Sequence, residues 1–97
     1  MTLGVVLGSG AAEDALLAAR LVGAATRAGH DARLFVMGAA ARAIAQLAPL
    51  ADEGVEVIAC EMSLEEVGVA RPKGVLGGSQ LDHAALVRDC DRVVALT

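Results

Sequence analysis

The chain is predicted to fold as an α/β three-layer sandwich, with a mostly parallel sheet of four to five strands covered by helices on both faces. Short apolar runs alternate with longer segments carrying apolar residues at helical spacing, along the whole 97-residue chain. The strand-like runs are nearly continuous in Val, Leu, Ile and Ala, as strands buried on both faces are. Glycines mark the ends of several elements, as at Gly29 and Gly38. The order of the strands in the sheet is left open by these signals.

Each element has a local reason. Leu3 to Leu7 is an apolar run that ends in Gly8-Ser9-Gly10, a strand followed by a turn. Ala11 to Ala28 carries Leu16, Leu17, Leu21, Val22 and Ala25 at helical spacing, and Gly29 is a good stop. Arg33 to Met37 reads as a second strand, and Ala39 to Leu50 as a second helix with Pro49 near its end. A third strand runs from Gly54 to Cys60. Ser63 to Val69 is expected to be a short helix, with Ser63 as N-cap and Glu66 closing a capping box. After the loop Arg71-Pro72-Lys73-Gly74, Val75-Leu76 suggests a short strand before Gly77-Gly78. Ser79 then caps a helix from Gln80 to Asp89, with Asp82 at its third position, and Arg92 to Leu96 is the last strand.

Residues 1–97 form one domain, because the length leaves no room for a second. A hydrophobic content of 56% with 21% charged residues is enough to bury a core and excludes a disordered chain. Phe35 is the sole aromatic, so the core is built of small side chains, which suits helices packed closely on a sheet. The surplus apolar surface favours self-association. The net charge of −4, the scattered basic residues and the single aromatic argue against a nucleic-acid partner. Glu13, Asp14, Arg20 and Arg27 interrupt the first helix, so no membrane partner is expected. No basic leader precedes the first apolar run, and the two cysteines fit a reducing, cytoplasmic setting.

Cys60 is the residue most suited to chemistry. It ends a strand where a helix begins, and unpaired backbone N–H groups there favour the thiolate, the form of sulfur that attacks. Glu61, Glu65 and Glu66 oppose that by like-charge repulsion, so a moderately active thiol is expected. The competing reading is a buried core cysteine with no chemistry.

The segment from Gly54 to Val69, with Cys60-Glu61-Met62-Ser63-Leu64 at its centre, resembles the DsrE/DsrF-like family of TusD-type sulfur-relay proteins. In that family a strand ends in a single cysteine before a short helix that closes with Gly and an aliphatic residue. The C-x-M-S-L form is similar to the peroxiredoxin-associated branch. The opening strand, long helix and Gly29-His30, and the ending Cys90-Asp91-Arg92-Val93-Val94, fit the same family. The chain is somewhat shorter than usual, chiefly in the loops after the first helix and after Val69. The resemblance implies a five-stranded sheet and sulfur carried as a persulfide on Cys60. It also implies a homo-oligomer (trimer or hexamer) or a mixed assembly, with donor and acceptor proteins or small thiols as partners and no cofactor.

The remaining candidates are weaker. Gly8, Ser9 and Gly10 make a tight turn that opens a helix and is suited to an anion, though they lack a full dinucleotide fingerprint. With Met62, Ser63, Gly77 and Gly78 they are expected to shape one crevice with Cys60, at the carboxyl edge of the sheet. Arg71 and Lys73 are candidates to hold an anionic donor such as thiosulfate, although solvated loop residues are the commoner case. Cys90, at a helix carboxyl end between Asp89 and Asp91, reads as structural or at most a resolving partner. His30 reads as a turn residue, and His83, in the first turn of the last helix, is within conceivable reach of Cys60. The histidines and cysteines lack metal spacing, so no metal is expected. Two rival functions stand beside sulfur carriage: a non-catalytic oligomeric scaffold and a small-ligand or anion-binding subunit.

Overall fold

The structure, a computed structural model, describes all residues from Met1 to Thr97. Strands β1 (Thr2–Leu7), β2 (Asp31–Val36), β3 (Glu56–Cys60), β4 (Leu76–Gly78) and β5 (Arg92–Leu96) form one sheet in the order β4-β3-β2-β1-β5. Every pairing is parallel. Helix α1 (Ala12–Arg27) joins β1 to β2, α3 (Glu61–Val67) follows β3, and α4 (Gln80–Asp89) leads into β5. The short α2 (Ile44–Leu47) lies in the β2–β3 connection. None of these helices is long and apolar enough to cross a membrane.

The topology decides which face each helix covers. From β1 to β4 the chain steps in one direction, so right-handed crossovers place α1, α2 and α3 on one face. The return from β4 to β5 runs the other way, and α4 alone is left for the second face. The cores are correspondingly unequal. On the first, eighteen buried residues pack together, with Val5, Leu7, Leu34, Val36 and Val57 of the sheet against Ala15, Ala18 and Val22 of α1 and Ile44, Leu47 and Leu64 beyond. On the second only Val6, Phe35, Ile58, Cys60 and Leu86 are buried, with Met37 and Cys90 at their margin.

Small side chains set the helix-to-sheet distance. The inward stripe of α1 is Ala15, Ala18 and Val22, while Leu16 and Leu17 are turned outward and exposed. On the second face Gly4 gives α4 its seat. A Cβ there would stand 2.6 Å from Leu86 Cδ2 and 2.9 Å from Cys90 Sγ.

The outer elements follow their sequence signals. Helix α1 ends before Gly29, whose φ of 89° is open to glycine at little cost. Ser79 Oγ accepts from the Leu81 N–H at 3.2 Å, and the Asp82 carboxylate accepts from the Ser79 N–H at 2.8 Å, the expected capping box. Strand β5 begins and ends as anticipated.

The β2–β3 connection differs. Instead of one helix over Ala39 to Leu50, two 3₁₀ segments, Gly38–Ala43 and Ala48–Glu53, flank the single turn of α2. Ala41, Ile44, Leu47 and Leu50 are all buried, at every third residue. That spacing lines up on a helix of three residues per turn and drifts off one of 3.6. Pro49 also removes a donor from any continuing α-helix. Strand β2 begins two residues earlier than expected, at Asp31, and Met37 falls outside it. The fourth strand takes in Gly77 and Gly78 and starts at Leu76.

Candidate functional site

Strand β3 runs into α3 with no loop between them. Cys60 is at once the last strand residue and the N-cap, with an extended backbone (φ −65°, ψ 115°). The helix therefore starts at Glu61, and Ser63 sits in its first turn instead of capping it, so the expected Ser63–Glu66 box does not form. At the far end Gly68, at φ 72°, closes the helix as the sequence implied.

The early start changes what surrounds the sulfur. Ser63 is buried, and its Oγ accepts the Gly38 N–H at 2.9 Å, which leaves its own proton to donate toward Cys60. Burial pushes the Cys60 thiol up. Hydrogen bonds from the Ser63 hydroxyl, the Ser63 and Met62 N–H groups and the Gln80 side chain outweigh it, and the thiol ends below its ordinary value. The force opposing ionisation is burial, not the repulsion from Glu61, Glu65 and Glu66 that the sequence suggested.

Cys60 is 6% exposed and opens into a cleft of about 360 Å³. One wall is the first turn of α3 with Met62, Ser63 and Glu66; the other is Gly78, Ser79 and Gln80 at the start of α4. Gly78 pairs with Cys60 across the sheet. A Cβ at Gly78 would lie 2.6 Å from Ile58 Cγ2 and 2.7 Å from Asp82 Oδ2, so glycine lets the capped end of α4 approach the sulfur. Gly77, expected in the crevice, does not line it: its Cβ side faces away from Cys60, where the Glu61 carboxylate lies, because successive strand residues face opposite sides.

Gln80 carries no motif, and its role is visible only once the fold brings β2 and α4 together. Its Nε2 donates to Met37 Sδ at 3.5 Å, and its Oε1 accepts from His83 Nδ1 at 2.9 Å. The imidazole is in turn stacked on Phe35, with centroids 5.3 Å apart and planes at 17°. The carboxamide is thus oriented with its N–H groups toward the sulfur side. His83, flagged by position alone, reaches Cys60 only through Gln80. Gln80→Leu is expected to slow Cys60 alkylation at neutral pH about two- to fivefold, since one donor to the thiolate is lost. A pH profile of iodoacetamide labelling in a Cys90→Ser background checks this, and an unmoved profile would remove Gln80 from the site.

Other candidates lie elsewhere. Gly8, Ser9 and Gly10 do not share the Cys60 crevice, because β1 is two strands from β3, about 10 Å across the sheet. Ser9 and Gly10 line a separate cleft of about 230 Å³ with Arg42 and Gln46, and Ser9 Oγ accepts the Ala11 N–H at 3.1 Å. Gly8 faces Met37 and Thr97. Arg71 Nη1 donates to the Val75 carbonyl at 2.6 Å, and neither Arg71 nor Lys73 lines the Cys60 cleft. His30 lies beside the amino terminus, with Nδ1 at 3.4 Å.

Both cysteines are free. Gly4, on which the Cys90 sulfur rests, is level with Arg33 and Glu56, four residues before Cys60. The two thiols are therefore about 13 Å apart along the strands alone, far beyond disulfide reach, and Cys90 cannot resolve Cys60 within one chain. Burial raises the Cys90 thiol, with Asp89, Asp91 and Glu56 adding to it against Arg33.

No family model matches the sequence, and no curated protein matches it significantly. Among solved structures, the crystal structure of the ychN protein from E. coli superposes with a TM-score of 0.82 at 24% identity. The match covers 99% of this chain and 100% of that one. The fold is thus the DsrE-like α/β sandwich, over the whole chain.

Proposed function

We propose that this protein carries sulfane sulfur as a persulfide on Cys60. The observation that supports the reading best is a cysteine at the wall of an open cleft, with four hydrogen-bond donors turned to its thiolate. The DsrE-like fold is consistent with it. In loading, the Cys60 thiolate attacks the outer sulfur of a donor persulfide R–S–SH. The Cys60–S bond forms, the donor S–S bond breaks, and R–S⁻ leaves while Cys60–S–SH remains. An acceptor thiolate then attacks that outer sulfur and Cys60 leaves as thiolate, so no net oxidation occurs. Donor and acceptor are proteins or small thiols in a reducing, cytoplasmic setting.

An assembly of identical chains, a trimer or hexamer, or a mixed assembly, belongs to the same proposal. Leu16 and Leu17 on one face and Leu76, Val87 and Val93 on the other are apolar and exposed. Those side chains are also what favours the second reading, a scaffold whose oligomer surface is the function.

Intact mass after incubation with a cysteine-loaded desulfurase separates the two. A reducible gain of one sulfur in wild type and Cys90→Ser, absent from Cys60→Ser, is the expected result. No adduct on any folded variant would leave the scaffold reading in its place.

A further inference from the structure

The Gln80 carboxamide has two unlike ends and meets two kinds of group. On one side are sulfurs: Met37 Sδ lies 3.5 Å from Nε2, and Cys60 is a second partner of the same side chain. Val36 is level with Ala59, so Met37 and Cys60 follow at the ends of neighbouring strands, and both pack on the second face. A thioether and a thiolate only accept, so the amide must present N–H to both. On the other side is His83, three residues on in the same helix, with Nδ1 2.9 Å from Oε1. A carbonyl oxygen only accepts, so Nδ1 must carry a proton there. The stack on Phe35 fixes the plane of the ring, and the Ser79–Asp82 capping box holds the turn that carries both side chains.

Resting on the carrier reading, we propose that His83 is a positioning residue for sulfur transfer, and that the proton on its Nδ1 decides which end of the Gln80 carboxamide faces Cys60. With Nδ1 protonated, Oε1 is taken up by the ring and the N–H groups face the sulfur. With the proton on Nε2 instead, Nδ1 is an acceptor. The amide is then satisfied only by turning over, which sets its oxygen against the Cys60 thiolate and Met37. The first orientation favours the thiolate both where it attacks the donor persulfide and where it leaves on release to the acceptor. The second disfavours both. The Nδ1 proton stays on the ring throughout, and the ring acts on the sulfur only through Gln80. A general base would instead have to reach the thiol itself.

Two substitutions separate the donor from the bulk of the ring. His83→Phe keeps a ring on Phe35 and removes the N–H, whereas His83→Asn keeps an N–H at the place of Nδ1 and removes the ring. In a Cys90→Ser background, iodoacetamide labelling of Cys60 is followed against pH. His83→Phe is expected to slow labelling at neutral pH about two- to fivefold, as loss of one donor does. It should do so by moving the midpoint to higher pH while the alkaline plateau is kept. His83→Asn should recover most of the rate. In a Gln80→Leu background His83→Phe should have no further effect, since the ring acts through that amide. An unmoved midpoint in His83→Phe, or an equal effect of His83→Phe with and without Gln80, overturns the proposal.

A second arm loads wild type and His83→Phe from a cysteine-loaded desulfurase and follows release of the sulfur to a small thiol by intact mass. Slower release from His83→Phe supports both readings. Sulfur gained and released alike by the two, with the labelling profile unmoved, overturns the positioning role and leaves the carrier reading standing. A shifted labelling profile with no sulfur gained by either protein overturns the carrier reading instead.

Discussion

Phe35→Ala is expected to cost about 3–5 kcal/mol of stability, the largest effect of any single substitution considered for this protein. Phe35 is fully buried on β2, at the middle of the sheet, and packs among Val6, Ile58 and Leu86. The second face has only five buried residues, and this ring is the bulkiest of them. A domain of this size has about 5–15 kcal/mol in all, so the loss is a large share of it. The midpoint of urea unfolding measures it. Phe35→Leu keeps most of the apolar volume and is expected to cost under about 1.5 kcal/mol. It removes the stack on His83, so slower Cys60 labelling in that folded variant would trace to Gln80 losing its orientation. A loss near 1 kcal/mol for Phe35→Ala would mean that the second face adds little to the core.

Ser63→Ala is expected to act on both stability and chemistry. The Gly38 N–H loses its acceptor and Cys60 loses a donor. Leaving a part-buried N–H unpaired costs about 1–3 kcal/mol. The thiol should move up toward its ordinary value, and labelling near neutral pH should slow. Ser63→Thr, which keeps the hydroxyl, should restore most of both.

The same hydrogen bonds make stability depend on pH. Because native Cys60 ionises at lower pH than it does in the unfolded chain, the unfolded chain binds the extra proton between those two values. Stability therefore rises with pH across that alkaline window, and the gain is lost as pH falls through the native value. Cys90, raised by burial, acts in the opposite sense, so the measurement belongs in a Cys90→Ser background. Ser63→Ala should narrow the window and Cys60→Ser should abolish it. An identical pH dependence in all three would refute the assignment of the hydrogen bonds to Cys60.

Periodicity made the architecture legible. Arg92 to Leu96 and the Ser79–Asp82 cap were readable because each depends on neighbours in sequence. One helix over Ala39 to Leu50 is what the alanines suggest, since they suit any helical form; the spacing of three at Ala41, Ile44, Leu47 and Leu50 is the signal for the 3₁₀ segments found instead. The crevice was half legible. Cys60, Met62, Ser63 and Gly78 come together because strand, helix and a parallel pairing place them there. Gly8, Ser9 and Gly10 were assigned to it wrongly, since strand order is not written in local pattern. Gln80 was missed for the converse reason. A lone glutamine has no signature until Met37, His83 and Cys60 surround it.

The unequal faces decide how the nearly buried Cys60 sulfur is reached from outside. Cys60 belongs to β3, clamped from the other side by the extensive core, whereas Ser79 and Gln80 travel with α4. Helix α4 buries Leu86 alone, whereas α1 buries Ala15, Ala18, Val22 and Gly23, so the amides of α4 should exchange with solvent ahead of those in α1 and the central strands. Each such excursion swings one wall of the cleft away while the thiol stays fixed. On the proposed carrier function, the opening frequency of α4 would set the ceiling on how fast a donor's sulfur could be handed to Cys60.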